Sequence, residues 1–533
     1  MKNNNIIRQL LALAAIFFAS SCISDLDRYP INGNSAEKVY STFEGYKSVL
    51  AKVYNAYGTS VNEGPAGYYD TSVGAEGDFL RAFFNLQSLT SEEGITTWSD
   101  AGLHDLNFMT WSPSNPFLAG LYSRSLYQIL LVNEFLREST DEKLNSRGIS
   151  AANAEEIKFF RAEVRFLRAF QYWVLMDIFG NPSFIDENSL VGQQLPPQIK
   201  RADLFNYIEN ELLEIQTLLK DARSNEYGRA DKAACWALLA RLYLNAEIYT
   251  GTAHYSDAIT YSSKVIAAGY SLKDSYAELF LADNHLNNPE VILSINYDGL
   301  SNQSYGGLCY IINAGFIVEH DEVPSINFRE YFGMGGNGGW FGNRARKELT
   351  DRFEPADSRR LFFGQKASVD DVGEFTDGLM VAKFRNVTSN GSFGSNYEEA
   401  FPDTDFPLFR LAEMNFIYAE AVLRGGTGGT MANALIYMND LRRRAFGNTS
   451  HDFVTFSLDD ILNERSRELY WEGFRRTDLI RFGKYTSDTH LWQWKGGIKA
   501  GKGVENHRNL FPIPASDRMA NPNLKQNEGY ETN

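Results

Sequence analysis

Trp340 closes the run Gly333-Met-Gly-Gly-Asn-Gly-Gly-Trp340, and Tyr305 is followed by Gly306 and Gly307, so two large rings sit on backbone with almost no side-chain cover. A ring in that setting stays open, and its face offers dispersion and C–H contact to a flat ligand; a hexose, with its axial C–H face, is one such ligand. Trp98 ends a second polar stretch, Glu92-Glu-Gly-Ile-Thr-Thr-Trp98. For any single aromatic the ordinary alternative is burial in the core. Groups for bond-breaking chemistry are less promising. Asp70, Asp78, Glu92 and Glu93 lie close to Trp98 in sequence, yet nothing marks two of them as the acid and base of a hydrolase. The seven histidines form no HxH or HExxH spacing for a metal.

These rings need a rigid frame, and the rest of the chain supplies a helical one. In Glu155 to Phe179, apolar residues recur at Ile157, Phe160, Val164, Leu167, Phe170 and Val174, and Gly180-Asn181-Pro182 ends the run, which predicts one amphipathic helix. From Lys232 to Gly269, Trp236, Leu239, Ala240 and Tyr243 reproduce the spacing of a tetratricopeptide first helix, and Tyr255, Ala258, Ile259 and Val265 that of a second. About six extra residues separate the two. Ser262 stands where an aromatic is expected. A more degenerate pair is expected from Leu408 to Arg444, turning at Gly425 to Gly429. Residues 62–116 and 284–400 lose helical periodicity and gain Gly, Asn and Tyr, with a strand expected at Val291 to Tyr297. Long excursions of this kind carry function, and the three rings fall on them. The expectation is a mainly all-α, tetratricopeptide-like scaffold of helical hairpins (41–60, 120–280 and 408–485) in a single domain spanning 41–533, with long irregular loops and a few short strands.

The N-terminus sets the compartment. Lys2 and Arg8 precede an apolar core from Leu10 to Phe18, and Ala19-Ser20-Ser21 lead into Cys22. That order is an export signal over residues 1–21, and a cysteine at this point reads as the lipidated new N-terminus, followed by a tether over 22–40. The mature chain carries 49 basic and 67 acidic residues, a net −18, which repels phosphate backbones and disfavours nucleic acid. Cys235 and Cys309 have no CxxC partner or nearby histidine; two free, buried thiols is the favoured reading over a disulfide between them.

The C-terminal third carries long matched strings: Ile461-Leu-Asn-Glu-Arg-Ser-Arg-Glu-Leu469, Glu472-Gly473, Arg475-Arg-Thr-Asp-Leu-Ile-Arg-Phe-Gly-Lys484, Leu510-Phe-Pro-Ile-Pro514, Asn521-Pro-Asn-Leu524 and Gln526-Asn-Glu-Gly-Tyr530. With Arg161 to Ala169, Phe179-Gly-Asn181 and Gly228 to Ala234, they resemble the SusD/RagB family from the lipoprotein cysteine to the last residues. The resemblance implies a tetratricopeptide-like helical fold tethered to the outer membrane, binding nutrient polymers as a lid on a TonB-dependent, SusC-like porin. It is closest to the family's starch-binding branch. There Trp98, Tyr305 and Trp340 stand at places resembling an aromatic arc and Arg81 at a polar neighbour of it, so an α-glucan such as starch or maltooligosaccharide is the implied ligand; a helical glucan matches a curved set of platforms. Two positions depart from that branch: Asp100-Ala101 replaces a sugar-contacting asparagine, and Val73-Gly74 replaces an acidic residue, so that Glu76 or Asp78 has to compensate.

The C-terminal string itself reads as structural. Ser457 with Asp460 makes a capping-box start, Gly473 is placed to end the helix, and the dense Glu/Arg face, including Glu464 and Glu468, is expected to form salt bridges. A non-catalytic surface glycan-binding lipoprotein is the leading reading; the same scaffold binding another glycan or peptides, and an all-α glycoside hydrolase, are the alternatives. No cofactor is expected, although Asp283 and Asn284 offer oxygen ligands for a structural calcium ion; a solvated turn is the simpler expectation there.

Overall fold

The computed structural model describes residues 35–61, 69–71, 74–189, 192, 194–319 and 325–530. The apolar leader, Cys22 and Val73 lie outside them. Helices begin where side-chain acceptors meet free N–H groups: Thr42 caps α1 (Phe43–Asn55), Asp78 caps α2 (Phe79–Phe84), and Asn115 caps α3 (Pro116–Glu138), with proline at its first position. Ser150 caps α4 (Ala151–Phe179), which stops at Gly180 with φ +74°. Next come α5 (Arg201–Ile215), α6 (Lys232–Leu244), capped by Asp231 on the N–H groups of Ala233 and Ala234, and α7 (Tyr255–Ile266). After the second excursion, which contains α8 (Gly307–Asn313), follow α9 (Leu411–Leu423), α10 (Met431–Phe446), α11 (Leu458–Leu469) and α12 (Arg475–Arg481).

The helices form a continuous row in which α3 packs on α4, α4 on α5, α5 on α6, α6 on α7, α7 on α9 and α9 on α10. The two sequence hairpins are therefore neighbours in one array, and residues 284–400 are an insertion between α7 and α9. The extra residues between α6 and α7 form a short helix, Ala246–Thr250, closed by Gly251 at φ +79°. Ser262 is buried and bonds back to the Ala258 carbonyl at 2.7 Å. The ring expected at that position comes from Tyr261 beside it, which stacks on Tyr243 at 5.6 Å.

Among the described residues six short strands pair antiparallel: β1 (Gly94–Thr96) with β3 (Asn343–Ala345), β2 (Val291–Ile295) with β6 (Phe406–Arg410), and β4 (Phe362–Phe363) with β5 (Met380–Val381). The expected strand from Val291 is thus present. Leu408, expected to open a helix, lies in β6, and the helix starts three residues later. The excursions hold more regular structure than their periodicity suggests. In α2 and the π-helical turn that continues it (Asn85–Leu89), every residue except Arg81 is buried, so no polar face marks the period. Helical packing begins before residue 41: Ala36–Val39 is helical and Tyr40 is buried against Tyr46 and Phe135. No helix among the described residues is long and apolar enough to cross a membrane.

The Glu/Arg face is a buried lattice that binds the insertion to the scaffold. Arg410 contacts Glu290 (2.9 Å), Glu468 (2.6 Å) and Glu472 (2.8 Å), and Lys383 contacts Glu472 (2.6 Å). Arg359 spans Asp357 and Glu464, both at 2.7 Å. Burial alone would raise the Glu464 carboxyl, but Arg359, Arg467 and Arg442 hold it at about 2. Ser457 and Asp460 form the expected reciprocal capping box. Gly473 does not end α11; the helix stops at Leu469, ahead of Trp471 at φ +65°, and Gly473 lies in the following link at φ +79°.

Candidate functional site

Two stretches of chain more than 200 residues apart, 81–98 and α8, meet at Tyr310. Its buried ring lies 5.8 Å from that of Trp98, and the Arg81 guanidinium sits 4.8 Å over it. The Tyr310 hydroxyl donates to Asn85 Oδ1 at 2.8 Å. Arg81 projects from α2, and its Nε is buried without a partner. Trp98 follows β1, whose pairing with β3 continues into Thr97 N–H donating to the Gly342 carbonyl at 2.8 Å.

Asp78 positions the next ring. Its carboxylate caps α2 through Arg81 N–H (3.2 Å) and accepts from Gly307 N–H (2.9 Å) and Ser304 hydroxyl (3.0 Å). The turn carrying Tyr305 is thereby fastened to the helix carrying Arg81. Gly306 is required there, since a Cβ would fall 2.1 Å from Asp78 Cγ. Burial raises the Asp78 carboxyl. Asp78 is 1% exposed and committed to this clamp, so it does not compensate for the acidic residue missing at 73–74. Glu76 is half-buried.

Tyr305 is 47% exposed, 6.3 Å from the Trp340 ring and 5.1 Å from that of Phe401. Trp340 is partly exposed on its glycine-rich loop, where its N–H donates to the Asn313 carbonyl and its Nε1–H to the Asn337 carbonyl, both at 2.8 Å. Trp98 is likewise partly exposed. The four residues singled out from sequence, Trp98, Tyr305, Trp340 and Arg81, thus lie around α8 and the Gly335–Gly342 loop rather than scattered over the molecule.

Two residues escaped sequence reasoning. Tyr310 reads as core in the apolar run from Leu308 to Ile312, and only tertiary contact reveals it as the support beneath Trp98 and Arg81. Tyr69 is 49% exposed and shares a small cleft with Arg81, Ser304 and Tyr305; the glycines at 64 and 67 before it are the same signal that marked Trp340.

The carboxylates considered for hydrolysis are structural. Asp70 pairs with Arg124 at 2.5 Å, Glu92 with Arg475 (2.5 Å) and Arg352 (2.9 Å), and Glu93 accepts from Ser88 hydroxyl at 3.2 Å, its carboxyl pushed up to about 8 by burial. Asp283 accepts from the Ser389 N–H and hydroxyl, and Asn284 is buried on backbone partners of residues 279 and 405. Among the described residues no group of three His, Cys, Asp or Glu side chains is placed to hold a metal. Cys235 and Cys309 are free and buried.

Residues 357–530 match the family model described as the SusD family. The chain is 34% identical to the starch-binding protein SusD of Bacteroides thetaiotaomicron, over 98% of this chain and 99% of that protein. Among solved structures it is similar to the surface glycan-binding protein A of B. thetaiotaomicron in complex with laminarihexaose (TM-score 0.68, 21% identity, covering 91% of this chain and 99% of that one). It is also similar to a SusD superfamily protein of Bacteroides vulgatus (TM-score 0.69, 19% identity, covering 92% and 100%). Full-length sequence similarity and the shared helical fold agree: this chain belongs to the SusD family.

Proposed function

We propose that this protein is a non-catalytic, lipid-anchored glycan-binding protein of the outer-membrane surface. It captures α-glucan by stacking sugar rings on Trp98, Tyr305 and Trp340, with Arg81 donating to hydroxyls, and delivers it to a TonB-dependent, SusC-like transporter. The observation that carries this reading is two pairs at one helix: Trp98 and Arg81 share the buried Tyr310 of α8, and Tyr305 and Trp340, on the loop before α8 and on the loop bonded to its Asn313 carbonyl, lie 6.3 Å apart, with Tyr305 half in solvent and both tryptophans partly open. If each ring contributes roughly 0.5–1.5 kcal/mol beyond its buried area, three give about 2–5 kcal/mol before ordering costs, which on its own corresponds to affinities of roughly tens of millimolar to a few tenths of a millimolar. The relatives' names support a glycan: one is a starch-binding protein and another was solved with laminarihexaose.

The test uses soluble protein lacking residues 1–22 in native gels containing starch, glycogen or laminarin. Retardation by an α-glucan, lost in Trp98→Ala and Trp340→Ala while both remain folded, supports the reading. Retardation by laminarin alone moves the ligand to a β-glucan, and retention in both variants removes the aromatic site. Conversion of maltoheptaose to shorter products refutes the non-catalytic assignment.

A further inference from the structure

Against the Gly335–Gly338 turn the chain presents a second aromatic surface. Phe393 stacks face to face on Tyr397 at 4.2 Å and 13°, and Phe393 is 44% exposed. The stacked pair leaves a flat aromatic face open beside the loop that carries Trp340. The hairpin that carries it does not depend on it. Thr388 N–H donates to the Ser392 carbonyl (2.8 Å) and Gly394 N–H to the Asn386 carbonyl (2.9 Å), while Asp403 accepts from Ser395 N–H and hydroxyl, both at 2.6 Å.

This hairpin is continuous with the site around Trp340. Gly335 N–H donates to the Tyr397 carbonyl (2.8 Å), and a Cβ on Gly335 would meet the Tyr397 ring at 2.9 Å. Asn337, whose carbonyl holds the Trp340 indole, donates from its side chain to Glu399 at 3.0 Å. One tight turn, closed by Gly338 N–H to the Gly335 carbonyl at 2.9 Å, therefore carries Trp340 through Asn337 and packs on Tyr397 through Gly335; such a turn is less than ~7 Å across. A polymer leaving Trp340 needs only a few sugar units to reach the hairpin.

From this continuity we infer that the Phe393–Tyr397 pair is an auxiliary sugar platform, stacking a ring of the same glycan chain and favouring polymers over short oligosaccharides. The inference rests on the glycan reading of the Trp98–Tyr305–Trp340 site. Its occupant is a neutral hexose, whose axial C–H face packs on an open ring and which the carboxylates of Glu330 and Glu398 near Tyr397 do not repel.

The test measures binding of the soluble protein to glycogen and laminarin, using whichever polymer the parent binds, and to maltotriose or laminaritriose as the short counterpart. Phe393→Ala is expected to weaken polymer binding about three- to tenfold and to leave the trisaccharide within twofold; Phe393→Tyr, which keeps the ring, is expected to restore it. Trp340→Ala is expected to lose both ligands. Unchanged polymer binding in Phe393→Ala alongside loss in Trp340→Ala overturns the platform alone. Unchanged binding in both variants overturns the glycan site and the platform with it.

Discussion

The Trp98 ring rests on Gly342: a Cβ at that glycine would lie 2.3 Å from Trp98 Cε2. No rotation of a rigid indole relieves such a contact without moving the ring, so Gly342 sets where Trp98 stands. Gly342→Ala is expected to weaken glycan binding at least three- to tenfold, with a folding cost of about 1–3 kcal/mol from overpacking. Calorimetric titration and indole fluorescence check it; an unaltered affinity would show that Trp98 does not contact the ligand.

Asp78 joins two segments of the site through three acceptor contacts. Asp78→Ala leaves Gly307 N–H and the first turn of α2 without their acceptor, a loss of about 1–3 kcal/mol, and frees the turn bearing Tyr305. Both the urea midpoint and glycan affinity should fall. If the midpoint drops and the affinity holds, Tyr305 is positioned by Phe401 instead.

The buried lattice gives the fold an acid limit. Glu464 is held at about 2 against an ordinary 4.5, and Glu468, ringed by Arg444, Arg410 and Arg359, is also depressed. A carboxylate whose folded pKa is lowered stabilises fully above its unfolded value and loses that contribution as pH falls through the folded one. Stability should therefore decline from about pH 4.5 toward pH 2, by on the order of 3 kcal/mol for Glu464. Urea midpoints measured down this range in parent and Glu464→Gln decide the matter: the variant should start lower at neutral pH and decline less, and parallel slopes would exclude Glu464 as the titrating group.

Cys235 Sγ faces the Leu212 carbonyl and Cys309 Sγ the Ala400 carbonyl, in separate parts of the core, and burial pushes both thiols up. Protein lacking residues 1–22 should show no fast-reacting thiol when native and two when unfolded, with or without prior reduction. A reduction-dependent count would reveal a disulfide.

Helices whose apolar or capping residues recur at a recognisable spacing were legible in the sequence. The run to Phe179 and its stop at Gly180, the Lys232–Ile266 hairpin and the Ser457–Asp460 cap all rest on spacings of three or four residues, which a helix imposes whatever surrounds it. The α2 helix and α8 were not: α2 is buried except at Arg81 and α8 throughout, and neither shows a polar period or a matched spacing to read. The strand at Phe406–Arg410 was hidden for the same reason: all five residues are buried.

For the site, sequence alone determined which rings stand on glycine-rich backbone, through local composition at Trp340 and Tyr305, and it marked Asp78 merely as an acid close to Trp98. Tertiary structure decided that Asp78 is a clamp, that Tyr310 is the support, and that segments more than 200 residues apart share one surface. The contacts responsible, from Gly307 N–H to Asp78 and from Thr97 N–H to the Gly342 carbonyl, span 229 and 245 residues. Hydrogen bonds of that range leave no periodic trace in a chain; they exist once the helical row has brought the two excursions together.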